Sequence, residues 1–104
     1  MPQNKHLKRL EKLNTTECLW VYILKILANS GPSHAYVLRR QIEDKFGFRP
    51  GTVTAYKVLY DMQKMGLVTK RKSGMKRIYE ITPKGTSDLK KAAVFYKGLA
   101  GKLS

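Results

Sequence analysis

Thr52 to Thr82 reads TVTAYKVLYDMQKMGLVTKRKSGMKRIYEIT, and a change of rhythm inside it decides the fold. Over Thr52 to Met65 the apolar positions recur at helical spacing. At 100° per residue, Ala55, Val58, Leu59, Met62 and Met65 gather on one side. Val53, Lys57, Tyr60 and Lys64 gather on the other, with Thr54, Tyr56 and Asp61 on the flanks. Gly66-Leu67 then closes the helix. The period drops to two in Leu67 to Arg71 and in Ile78 to Thr82, both rich in β-branched and aromatic residues. Ser73-Gly74 supplies a turn between them, and Lys70, Arg71, Lys72, Lys76 and Arg77 crowd around it.

A helix, a tight corner and a basic two-stranded ribbon, in that order, form the working end of a winged helix-turn-helix. The outer face of helix 52–65 has the chemistry of a groove reader. Lys suits phosphates and guanine edges, and Thr and Val suit thymine methyls. A solvated face also favours Lys, so on this helix alone both readings stay open. The ribbon, the wing over 67–82, is more telling. Five cations around one turn repel one another and need an offsetting benefit, which phosphate binding with counterion release provides.

Working upstream, Ser33 is expected to cap a helix running to about Phe46. Ala35, Leu38 and Ile42 would face inward, and Arg39 and Arg40 outward, as DNA contacts. Phe48-Arg49-Pro50-Gly51 is a connection short enough for a helix-turn-helix. Before it, Asn14 with Glu17 resembles a capping box. It opens a helix through about Asn29 with Leu19, Tyr22, Ile23, Ile26 and Leu27 as its stripe. Lys5 to Leu13 is a basic amphipathic helix carrying Leu7, Leu10 and Leu13, too short to stand alone.

Downstream, Thr82 caps and Pro83 starts a last helix. Leu89, Ala92, Ala93, Tyr96, Leu99 and Ala100 line it, with Val94 and Phe95 widening the stripe. So apolar a helix folds back or pairs with a second copy. Leu7, Leu10, Leu89, Ala93, Tyr96 and Leu99 are therefore the expected dimer interface. The fold class is mainly α with a small β-wing (α+β). It divides into an N-terminal helix over 1–13, a DNA-binding domain over 14–82 and a dimerisation helix over 83–104.

Composition agrees. Against 21 Lys and Arg stand 7 Asp and Glu, a formal charge of +14 on 104 residues. A thermophile-type surface would balance Lys with Glu, so the excess points to a polyanion, here double-stranded DNA. The single cysteine, Cys18, excludes an intrachain disulfide and fits a reducing compartment as a buried structural thiol. No stretch approaches the roughly 18 apolar residues of a membrane span, and Met1 to Lys5 lack a secretory pattern. The expected location is the cytoplasm. With only His6 and His34 as histidines, no metal site is expected. No phosphate loop, Ser/His/Asp set or zinc spacing suggests an enzyme, and no cofactor is implied. Trp20 fits either ordinary core or an aromatic wall at a dimer or ligand interface.

Four stretches share a further pattern: ILANSGPSHAY over Ile26 to Tyr36, IEDKFG over Ile42 to Gly47, YKVLYDMQKMGLV over Tyr56 to Val68, and YEITPKG over Tyr79 to Gly85. Together they resemble the PadR family of winged-helix transcriptional regulators across about residues 15–90. The first is similar to its small-residue turn and His-Gly-Tyr, the third to its Tyr-Pro-Ala-Leu helix, the fourth to its Thr-Pro-x-Gly. Ala35 stands in place of Gly and Lys57 in place of Pro. Gly51 comes two residues early, and the region after the wing holds one helix. The resemblance implies that Tyr56 touches backbone phosphate, that His34 and Tyr36 are structural, and that the C-terminal region builds the dimer. A homodimeric, sequence-specific repressor is expected. The alternatives are a sequence-tolerant architectural DNA-binding protein and a regulator with an aromatic effector pocket near Trp20 and Tyr96. The short C-terminal region leaves a small-molecule effector unsupported.

Overall fold

A computed structural model describes residues 4–104. Met1–Gln3, the start of the segment assigned to 1–13 and of the stretch read for a secretory pattern, lie outside the described residues. The elements are α1 (Lys5–Asn14), a 3-10 turn (Thr16–Cys18), α2 (Leu19–Ser30), α3 (Ala35–Phe46), α4 (Thr52–Lys64), β1 (Val68–Ser73), β2 (Lys76–Ile81) and α5 (Pro83–Leu103). This is the mainly helical winged helix-turn-helix expected, with one antiparallel ribbon.

The core is built on α2. Leu19, Ile23, Leu24, Ile26 and Leu27 are buried there against Ala35, Leu38 and Ile42 of α3. Leu59 and Met62 of α4, Leu67, Val68 and Tyr79 complete it. Phe48 and Trp20 pack partly buried on this core. Tyr22 meets Phe46 and Phe48 edge-on, at 4.8 and 5.0 Å between ring centres.

Four local expectations need correction. Asn14 does not cap α2. It ends α1, where its Nδ2 donates back to the Leu10 carbonyl at 2.8 Å, one turn earlier in the same helix. Asn4 is the capping residue of α1, accepting from Leu7 N at 2.9 Å. Ser33 does not cap α3, whose N-cap is His34 without a side-chain bond. Ser33 is buried, and its backbone pairs with Tyr79: Ser33 N donates to Tyr79 O at 3.0 Å and Tyr79 N to Ser33 O at 2.9 Å. Met65 does not face the core. The helix stops at Lys64, Gly66 turns the chain at φ 77°, and Met65 is exposed. The ribbon is longer at its tip than expected and turns on Gly74-Met75, with Ser73 opposite Lys76. Gly74 at φ 65° makes so tight a turn affordable in backbone terms.

Where the ribbon leaves for α5, Thr82 ties three segments. Its Oγ1 accepts from Gly85 N at 3.0 Å as the N-cap of α5 and lies 2.6 Å from the Gly66 carbonyl oxygen, to which it donates. Gly85 is the one buried residue of α5.

Candidate nucleic-acid interface

The outer face of α4 carries Val53, Tyr56, Lys57, Tyr60 and Lys64, all exposed, and Thr54, half-buried. Val53, a β-branched residue with 81% of its surface in solvent, contributes nothing to the core. Lys64 Nζ lies 5.5 Å from the centre of the Tyr60 ring. These residues share a face because the opposite one, Ala55, Leu59 and Met62, is buried.

Lys70, Arg71, Lys72, Lys76 and Arg77 are all exposed on the wing. The register sets Lys72 directly against Arg77. Like charges opposite one another destabilise a ribbon. Among the described residues none of the five makes a salt bridge, and the ion pair Arg49–Glu43, at 3.7 Å, lies elsewhere. The wing is thus a cluster of cations held together without a carboxylate partner among the described residues.

Arg39 and Arg40 part company. Arg40 is exposed, whereas half-buried Arg39 donates from Nε to the Pro50 carbonyl at 2.9 Å, bracing the turn between α3 and α4.

Two residues not expected at this surface join it. His34 and Tyr36, at the start of α3, line a cleft of about 480 Å³ with Tyr56 of α4 and Lys76 and Arg77 of β2. The imidazole and phenol stack, 5.9 Å between centres and 4° from parallel. His34 Nδ1 lies 3.0 Å from the Arg77 carbonyl oxygen. A carbonyl only accepts, so Nδ1 carries the proton. Lys76 Nζ sits 5.2 Å over the Tyr36 ring and donates to its hydroxyl at 3.4 Å. Tyr79, at the back of the cleft, has its phenol pKa raised by burial first and then by Tyr56, with Arg77 pulling the other way. No signal in the sequence relates Tyr36 to Lys76, 40 residues apart, because they meet only where the start of α3 is tied to β2 through Ser33–Tyr79 and His34–Arg77.

The residues expected at a dimer interface lie along α1 and α5. Leu7, Leu10, Leu99 and Ala93 are exposed, and Leu89 and Tyr96 half-buried. Leu10 and Tyr22 meet Tyr96 around one groove, and Tyr22, Phe46 and Leu89 meet it around another. The Tyr96 phenol is pushed up to about 12 by the Cys18 thiol first, then by burial and by Tyr22. Cys18 is half-buried and donates to the Leu13 carbonyl at 2.9 Å. No group of metal-ligating side chains occurs among the described residues. None of their helices is long and apolar enough to cross a membrane.

Comparison with known proteins agrees with this geometry. The model of the transcriptional regulator PadR-like family matches residues 23–91, well over half the chain. A transcriptional regulator from Clostridium thermocellum superposes with a TM-score of 0.75 at 22% identity, over 82% of this chain and 87% of that one. A PadR family transcriptional regulator from Eggerthella lenta gives a TM-score of 0.78 at 18% identity, over 94% and 89%. F93 from STIV, a winged-helix DNA-binding protein, gives 0.69 at 14% identity, over 83% and 89%. At such identities these structures speak for the fold. No curated protein matches the chain at significance.

Proposed function

Because the chain belongs to the transcriptional regulator PadR-like family and is a DNA-binding transcription regulator, we propose that it is a cytoplasmic homodimer that represses by occluding a promoter. The observation that carries the proposal is the junction at Tyr56. This residue belongs to the exposed face of α4 and lines the same cleft as Lys76 and Arg77 of the wing. Helix and wing therefore offer one continuous basic surface to one duplex. The reader is α4 in the major groove, through Val53, Thr54, Lys57 and Tyr60. Lys70, Arg71, Lys72, Lys76, Arg77 and Arg40 hold phosphates and set the register.

Pairing is supported by α1 and α5. In α5 Val94, Phe95, Leu99 and Leu103 are exposed, and α1 buries no residue although it carries Leu7, Leu10 and Leu13. A two-fold pair covers such faces with the same faces of a second copy. It would set two copies of α4 about 34 Å apart, in successive major grooves of a pseudo-palindrome.

A second reading, sequence-tolerant coating of DNA, draws on the exposed Lys90, Lys91 and Lys97 of α5, away from helix and wing. One experiment separates the two: titration onto labelled duplexes selected from a random pool and onto scrambled duplexes of equal length, across a salt series. A gap in Kd that survives near-physiological salt supports the sequence-specific regulator. Affinities that stay equal and fall together with salt support the coating protein.

A further inference from the structure

We propose that the cleft between the start of α3 and β2 seats one backbone phosphate of the DNA, with the Tyr36 hydroxyl positioning it. The proposal rests on the DNA-binding reading above and adds to it a residue pair that neither α4 nor the wing supplies alone.

The polar groups at this cleft are arranged as donors. Lys76 already donates to the Tyr36 oxygen, so the proton of that hydroxyl is directed elsewhere. One of the three ammonium protons of Lys76 is engaged, and two remain. Arg77 adds a guanidinium, and Tyr56 a second phenol. The Nδ1 proton of His34 is used in holding the wing through the Arg77 carbonyl. No Asp or Glu lines the cleft. A site rich in donors, with two cations and no carboxylate, is complementary to an anion that only accepts. A phosphodiester oxygen is that group, and the duplex carries one phosphate per nucleotide.

The seat is also built before DNA arrives. An exposed lysine normally samples many rotamers, and ordering it on binding costs entropy. Here the stack of imidazole, phenol and ammonium holds Lys76 over Tyr36. The stack is anchored at one end to α3 and at the other to β2. Tyr36 therefore acts twice, as a direct donor to phosphate and as the platform that holds Lys76.

The test uses the full chain and a 20-base-pair duplex of mixed sequence. Tyr36→Phe removes the hydroxyl while keeping the ring, the stack and the net charge. It is expected to weaken binding about tenfold on every duplex, the loss of one hydrogen bond to a charged acceptor, with the melting temperature unchanged. Lys76→Gln is expected to weaken binding and to lower the salt slope by about one. The double variant is expected to lose less than the product of the two single losses, since both act on one phosphate. If Tyr36→Phe binds as the unaltered protein does, or if the two losses simply multiply, the seat is overturned while the DNA-binding reading stands. If the unaltered protein retains no duplex at all, both fall.

Discussion

Arg39 holds Pro50: its Nε donates to the Pro50 carbonyl at 2.9 Å, across the turn that joins α3 to α4. Pro50 is buried, so its carbonyl has little water to fall back on. Arg39 was grouped by sequence with its exposed neighbour Arg40, and the bond separates their expected roles. Arg39→Ala should lower unfolding stability by about 1–2 kcal/mol, the cost of an orphaned acceptor. Arg40→Ala should leave stability within about 0.5 kcal/mol and weaken DNA binding only. Urea denaturation of both variants, beside their Kd for duplex, checks this. Equal stability of the two would remove the bracing role.

Gly85 and Gly98 lie in the same helix and should respond to alanine with opposite signs. A β-carbon at Gly85 would collide with the Leu67 carbonyl oxygen and press on Ile81 and Leu24, whereas Gly98 faces open space. Backbone cannot swing aside as a side chain can, so Gly85→Ala should cost about 1–3 kcal/mol. Gly98→Ala should gain up to about 1 kcal/mol of helix propensity. Thermal melts at one fixed protein concentration decide it, and a harmless Gly85→Ala would contradict the packing of α5 on the wing root.

Alkaline titration probes the cluster beneath α1. The Tyr96 phenol is raised from 10.0 to about 12, by Cys18, burial and Tyr22 in that order. Tyr22 is raised as well, chiefly by burial. A raised phenol keeps its proton in the folded state after the unfolded chain has lost it. Its stabilising contribution is complete below pH 10 and disappears between pH 10 and about pH 12. Tyr96→Phe cannot ionise and should show a shallower fall in stability across that window. An identical fall in both proteins would mean that other groups govern alkaline unfolding.

Leu10→Glu and Leu99→Glu, combined, place carboxylates on two exposed apolar faces of the terminal helices. The double variant should sediment as a monomer with its helix content intact, and footprint one half-site where the parent protects two. A variant that stays dimeric would move the interface elsewhere. A parent that is already monomeric would overturn the pairing itself.

Much of this was legible in the sequence because the signals are local. The shift from helical to strand period at Gly66 marks α4 and the wing, and Thr82-Pro83 marks the start of α5, where Thr82 does cap. Errors arose where a partner comes from far along the chain, and where a local signal admits two outcomes. Ser33 has the chemistry of a cap, yet the pairing of its backbone with Tyr79 places it in the core. Met65 fits the apolar side of an ideal wheel, but the wheel assumes the helix continues, and it ends at Lys64. Asn14 can bond forward or backward, and composition does not choose between them. Tyr36 meets Lys76 at a separation of 40 residues, which no window on the sequence spans.

The two backbone bonds between Ser33 and Tyr79 have a last consequence, for signalling. They rivet the wing to the head of α3, and Arg39 rivets α3 to the turn that leads into α4, so α3, that turn and the wing form a single stiff tool. A tool without an internal joint cannot be blunted from within. On the dimeric reading proposed above, a cue that releases the protein from DNA would act at the handle, by changing the angle or distance at which two copies are held.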